Sequence, residues 1–166
     1  MSLASLVKRS YLNAGLGIRI NRVAAVDAVG PTNLFTVAGG LVLLTGLYGV
    51  VTVVRTGGAG VTQLFTHTAV NLCVATITGL ATVGTTFTIT GDPADPMVIG
   101  VGTGVANTKA PLQSGVKGSG LGGMNMFGVV LGLGNLTTTI SVATTGATRY
   151  VLSYIPLDDA AIVFAA

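Results

Sequence analysis

The sequence predicts a single all-β domain, an antiparallel β-sandwich or β-barrel of about eight to ten strands. Its 166 residues suit one domain. Thr, Val and Ile together supply 54 positions, and such β-branched side chains favour a pleated strand over a helix. Glu is absent, charged residues make up only 8% of the chain, and 25 glycines provide the connections between strands. Disorder is excluded, because it requires low hydrophobicity and high charge.

The first half of the chain divides into short apolar segments separated by turns. We expect a strand that ends at Gly30-Pro31, a tight hairpin at Gly39-Gly40, and a turn at residues 56–60. Around these turns, the predicted strands are Val23–Val29, Leu34–Val37, Leu41–Leu44, Leu47–Arg55 and Val61–Thr66.

The second half continues the same pattern, with apolar and polar residues alternating over 73–78 and 86–90. A rigid turn is predicted at Gly91–Pro96, because each proline restricts the aspartate before it. Residues 100–123 contain eight glycines and predict a long loop. The later strands are predicted at Val129–Leu133, Leu136–Val142 and Arg149–Ile155, with Tyr150, Leu152 and Tyr154 on one face, and the chain closes with the apolar run at 162–166.

Residues 1–22 differ from the rest of the chain in their charge. Lys8, Arg9, Arg19 and Arg22 are half of the eight basic residues, and no acidic residue accompanies them. We therefore divide the chain into a basic N-terminal arm, 1–22, and a β-domain, 23–166. The arm is interpreted as an extended segment or a short edge strand, and either as a solvated terminus or as a strap onto an acidic neighbour.

Two long charge-free stretches raise a membrane alternative. No charged residue lies between Asp27 and Arg55 or from Gly118 to Thr148, and either stretch is long enough to cross a bilayer as a helix. Glycines interrupt the first stretch and polar residues the second, so we disfavour this interpretation; a small membrane β-barrel is retained as the weaker alternative. No export signal is evident, and the single Cys73 implies no internal disulfide. The net charge of +3 is too small for a nucleic-acid-binding surface.

Few residues offer chemistry, and none makes a convincing catalytic site. His67 and Cys73 lie six residues apart and would share one face of a regular strand, but a buried cysteine and an incidental histidine explain them better. The acidic pairs Asp92/Asp95 and Asp158/Asp159 are better explained as turn residues than as catalytic carboxylates. The Gly-x-Gly-x-x-Gly pattern at 118–123 lacks the acidic residue that a dinucleotide site requires. We predict no enzyme, no cofactor and no metal site.

The scarcity of charge indicates how this protein exists in its native setting. A free soluble monomer generally keeps charged side chains on its surface, and large apolar patches usually mark contact surfaces. We therefore expect most of the surface to be covered by copies of the same chain or by a larger assembly.

Two segments resemble small structural proteins of tailed bacteriophages. The C-terminal segment RYVLSYIPLDDAAIVFAA, residues 149–166, is similar to endings that combine an aromatic strand with Tyr-x-Pro-Leu-Asp-Asp-Gly-Ala and a small apolar tail. Here Ala160 stands where the pattern has glycine. The run VDAVGPTNLFTVAGGLVLLTGLYGVVT, residues 26–52, looks like the first hairpin of the same group.

This resemblance implies a head decoration, or cement, protein on the exterior of an icosahedral capsid, made in the host cytoplasm. It would bridge subunits of the major capsid protein, associate with itself as a homotrimer, and involve neither nucleic acid nor membrane. Lys8, Arg9, Arg19 and Arg22 would then contact an acidic capsid surface. A tail-tube or fibre component is the alternative within the virion.

Overall fold

The computed structural model describes residues 17–89, 91–100 and 129–166. Lys8, Arg9 and nearly all of the predicted 100–123 loop lie outside these ranges. Within them the chain forms twelve β-strands and no helix. The strands are β1 Ile18–Val26, β2 Gly30–Ala38, β3 Val42–Val53, β4 Thr62–His67, β5 Val70–Asn71, β6 Thr76–Ile77, β7 Thr86–Thr88, β8 Val98–Gly100, β9 Val129–Leu131, β10 Gly134–Ile140, β11 Ala147–Pro156 and β12 Ile162–Ala165.

These strands form two antiparallel sheets that do not close into a barrel, as expected for a β-sandwich. The first sheet has the order β1-β11-β3-β7-β8, with β9 also paired to β3. The second has the order β12-β2-β10-β4-β5, with β6 also paired to β4. The all-β prediction is therefore confirmed. No helix in the described ranges has the length and hydropathy needed to cross a bilayer.

The predicted strands are found with different boundaries. β1 extends from Ile18 to Val26, so it runs through the predicted boundary between the arm and the domain. Residues 41–55, predicted as two strands, form the single long strand β3. The alternating run at 73–78 forms only the two-residue strand β6 and an isolated bridge between Val74 and Pro96.

The hairpin predicted at Gly39-Gly40 is wrong, because β2 and β3 belong to different sheets. Both glycines have positive φ, 76° and 149°, and the chain uses them to cross from the second sheet to the first. A Cβ atom on Gly39 would collide with the carbonyl oxygen of Ala160. The crossing is fixed by Asp158, whose Oδ2 accepts a hydrogen bond from Leu41 N at 2.6 Å.

Alternating side chains of both sheets fill the space between them. Tyr150, Leu152 and Tyr154 all lie buried on the inner face of β11, as predicted. A β-bulge where β2 pairs with β10 turns two consecutive residues, Leu34 and Phe35, into the core. The rest of the core comes from Val37, Val42, Leu44, Leu47, Val51, Phe65, Phe87, Leu136 and Val163.

A buried ion pair occupies one end of this core. Arg55, which follows β3, is completely buried, and its Nε donates to Asp27 Oδ2 at 2.7 Å. Asp27 follows β1 and is 4% exposed. The guanidinium also lies over the ring of Phe87, with its carbon 4.7 Å from the ring centroid. Since an unpaired buried charge is very costly, each member of this pair requires the other.

Neutral side chains from both sheets complete the hydrogen bonding of this pair. Arg55 Nη1 donates to Gln63 Oε1 and to Thr78 Oγ1, and Nη2 donates to Thr148 Oγ1, over 2.8–2.9 Å. Gln63 in turn donates to the Tyr150 hydroxyl at 2.9 Å. Gln63 belongs to the second sheet, whereas Thr148 and Tyr150 belong to the first. The polar network therefore connects the two layers.

Removing Asp27 tests this connection. In Asp27→Ala, Arg55 stays buried without its counterion, and we expect the free energy of unfolding to fall by about 3–5 kcal/mol. Urea denaturation measures this loss. The matched control is Asp159→Ala, where the carboxylate is exposed and we expect a change within about 0.5 kcal/mol. Equal effects of the two substitutions would contradict a structural role for the pair.

Candidate interaction surface

The two residues best suited to nucleophilic catalysis do not form a pair in the fold. β4 ends at His67, the chain reverses through Thr68 and Ala69, both with positive φ, and β5 begins at Val70. His67 and Cys73 therefore lie on opposite arms of a reversal rather than on one strand. Cys73 is buried, and its Sγ accepts a hydrogen bond from Phe65 N at 3.4 Å. Burial also raises the pKa of this thiol, which keeps it protonated and poorly nucleophilic.

His67 is 8% exposed, and its Nδ1 has no hydrogen-bond partner among the residues that the structure describes. It pairs with Leu136 across the second sheet. Burial lowers its pKa below the ordinary value of 6.5, because the charged imidazolium is poorly solvated there. His67 therefore packs as a neutral core side chain.

The acidic residues have roles in turns. Asp92 Oδ1 accepts a hydrogen bond from Ala94 N at 2.9 Å, and the carbonyl of Asp95 accepts one from Val74 N. Asp158 fixes the β2–β3 crossing described above. Among the described residues, no three His, Cys, Asp or Glu side chains are grouped as metal ligands would be. The glycine pattern at 118–123 lies outside the described residues.

Arg19 lies on the outer face of the first sheet. Its Nη2 donates to the Tyr48 hydroxyl at 2.7 Å, and its guanidinium carbon is 5.9 Å from the centroid of the Tyr48 ring. Tyr48 belongs to β3, so this contact passes over the intervening strand β11. Val151 of β11 pairs with Tyr48 and is completely buried, although it faces the same side. The Arg19 side chain therefore shields apolar surface while keeping its charge at the exterior.

Arg22 points the other way, toward the gap between the sheets. It pairs with the inward-facing Tyr150, and residues three apart on a strand face opposite sides. Its Nε donates to the carbonyl oxygen of Ala166 at 3.2 Å, beyond the end of β12 in the second sheet. Arg22 also lines a small cleft of about 10 Å³ with Asp27. The structure thus places two of the four predicted contact residues on different faces, while Lys8 and Arg9 lie outside the described residues.

The outer faces of the two sheets differ in charge. On the first sheet, Arg19 and Arg149 are exposed, and none of its strands contains an acidic residue. We call this the basic face. In the second sheet, no strand contains an Asp, Glu, Lys or Arg. Its outer face, which we call the uncharged face, is formed mainly by Thr36, Thr62, Leu64, Thr66, Asn135, Thr137 and Thr139.

Apolar side chains outnumber charged ones at the surface of the described residues. Sixteen large hydrophobic side chains are exposed there, among them Phe164 and Ile162 of β12. Seven charged residues are at least partly exposed, namely Arg19, Arg22, Asp92, Asp95, Arg149, Asp158 and Asp159. The sequence predicted an exterior poor in charge, but not that the charged residues on strands would all belong to the first sheet. Strand alternation alone could not show which strands share a sheet.

Comparisons of this chain with protein-family models, with curated proteins and with solved structures found no match.

The buried His67 predicts an acid-sensitive fold. The pKa of His67 is lower in the folded chain than in the unfolded chain. The unfolded chain therefore binds the proton more tightly. The contribution of neutral His67 to the free energy of unfolding is complete above about pH 6.5, and it is lost as the pH falls toward the pKa of His67 in the folded chain. We therefore expect the urea midpoint to decrease between about pH 7 and pH 5.

The control variant is His67→Gln, which removes the only histidine of the chain. Its urea midpoint should stay nearly constant over the same range. A wild-type midpoint that is also constant would show that His67 titrates equally in the folded and unfolded states.

Proposed function

We propose that this chain is a structural virion protein that decorates the outer surface of an icosahedral phage capsid. One observation carries the proposal: the described surface exposes more large apolar side chains than charged ones. A free soluble protein generally keeps charged side chains on its surface, so an exterior poor in charge favours a protein covered by an assembly. The resemblance of residues 26–52 and 149–166 to phage structural proteins supplies the setting.

In the proposed mechanism the protein acts through the area of its contacts rather than through catalysis. Each copy would bridge neighbouring subunits of the major capsid protein, and copies on one shell would reinforce each other by multivalency. A sandwich with a ten-residue strand β11, hydrogen-bonded on both sides, suits a load-bearing role. The proposed localisation is the capsid exterior, after synthesis in the host cytoplasm, and the proposal includes no cofactor.

The basic face is the surface best suited to an acidic capsid. Arg149 is exposed on the outer face of β11, and Arg19 keeps its guanidinium at the same face. Lys8 and Arg9 precede β1 in sequence and add two further charges to the proposed contact. Arg22 contributes differently, because its Nε is engaged by the carbonyl oxygen of Ala166. We therefore assign Arg22 to holding β1 in place.

Charge reversal on the basic face tests the proposal. In Arg149→Glu, attraction to an acidic surface becomes repulsion, and we expect at least about fivefold weaker binding per copy, the effect of roughly 1 kcal/mol. Co-sedimentation with empty capsid shells of the phage that encodes this chain measures the affinity. Arg149→Lys keeps the charge and serves as the matched control. Lys8→Glu combined with Arg9→Glu tests the arm in the same assay.

Wild-type protein that fails to bind the shells would contradict the proposed function. Binding that is insensitive to salt and to Arg149→Glu would contradict the assignment of the basic face, because attraction between exposed charges is screened by ions. Electron microscopy of the native particle distinguishes decoration from the tail-tube or fibre alternative.

A further inference from the structure

The uncharged face is the part of the molecule that the proposed capsid contact leaves unused. It is the outer surface of the second sheet, opposite the basic face, and no strand of that sheet contains an Asp, Glu, Lys or Arg. We propose that a second copy of this chain packs against the uncharged face. The inference deepens the proposed function by naming the partner on this face, and it rests on that function for its biological role.

The electrostatics of a symmetric contact favour this assignment. In a two-fold contact between identical subunits, which differs from the homotrimer that the resemblance implies, residues near the symmetry axis meet their own copies. A charged residue there would face a like charge, which is destabilising. The basic face, with Arg19 and Arg149 and no acid in its strands, is therefore poorly suited to self-association. The uncharged face meets its copy without repulsion, and it offers no complementary charge to an acidic or basic partner.

The polar groups of the uncharged face also suit a copy of themselves. A threonine hydroxyl both donates and accepts, so two identical hydroxyls can bond to each other. The face already shows such pairing within one chain: the hydroxyls of Thr66 and Thr137 are 2.5 Å apart, and Thr36 Oγ1 donates to Asn135 Oδ1 at 2.9 Å. The same chemistry is available between two copies.

The face supplies about half of the area that a standard contact buries. Its five strands contain 28 residues, which at about 3.4 Å per residue and a strand spacing of about 4.8 Å cover about 450 Å² in projection. A standard protein interface buries about 800 Å² per partner. Phe164 and Ile162 of β12 are 47% and 50% exposed at one edge of the face, and Ile77 of β6 is 56% exposed on the far side of β4. These side chains provide apolar anchors, and aromatic residues are common at interface hot spots.

Placing a charge on the middle strand of the face tests the inference. Thr139 lies on the middle strand β10, between Pro31 of β2 and Leu64 of β4. Thr139→Lys buries a charge against its own copy, and we expect self-association to weaken at least about tenfold in sedimentation equilibrium. The matched control is Thr52→Lys, which adds the same charge at an exposed position on the first sheet. We expect it to leave self-association unchanged.

A second variant covers the case in which Thr139→Lys does not fold. Phe164→Asp changes a half-exposed side chain on β12 and should also weaken self-association. A wild-type chain that stays monomeric, or equal weakening by Thr52→Lys, would overturn the inference.

Shell binding, measured in parallel, separates this inference from the proposed function. In one outcome, the wild-type chain forms oligomers that Thr139→Lys disrupts and yet does not bind capsid shells. That result would support the inference and contradict the proposed function. A monomeric wild-type chain that binds shells, together with a Thr139→Lys variant that does not, would overturn the inference. The uncharged face would then contact the capsid.

Discussion

The buried guanidinium of Arg55 is the constraint on which the sandwich depends. A cation with no solvent contact must find its partners within the fold, and four of the five guanidinium hydrogens are directed at Asp27, Gln63, Thr78 and Thr148. Because these partners come from both sheets, the network fixes how one layer sits on the other. An apolar core alone specifies such an arrangement less strictly, since apolar contacts are not directional. The burial of Arg55 and Asp27 also removes two of the few charges from the exterior.

The few charges that remain on the exterior are unevenly distributed between the two sheets. Seven charged side chains are distributed over the described surface, and those on strands of the sheets are all arginines of the first sheet. Charge is thus separated by face: one sheet offers guanidinium groups, the other hydroxyl, amide and apolar groups. We infer that the two broad surfaces make two different contacts. We propose that one is with the capsid and the other with its own copy.

Much of this fold could be predicted from residue types and their alternation. The β-branched residues and glycines predicted the all-β class, and the two-residue period placed Tyr150, Leu152 and Tyr154 together in the core. The connectivity could not be predicted, because glycines with positive φ serve a hairpin and a crossing between sheets equally well, as Gly39-Gly40 shows. The sequence did contain a sign of the ion pair: Asp27 and Arg55 bracket a run without any charge. Their pairing depends on the two strand ends meeting at one end of the sandwich, which is a property of the tertiary fold.

We propose that this surface is covered by other protein in a virus particle, and a reconstruction of the particle by electron cryomicroscopy would show the contacts themselves. We expect density for a two-sheet sandwich in icosahedrally repeated positions on the outside of the shell. The first sheet should face the capsid protein, and the second should face another copy of the chain. Purified particles that lack this chain, or copies attached through a loop with both sheets facing solvent, would contradict the account.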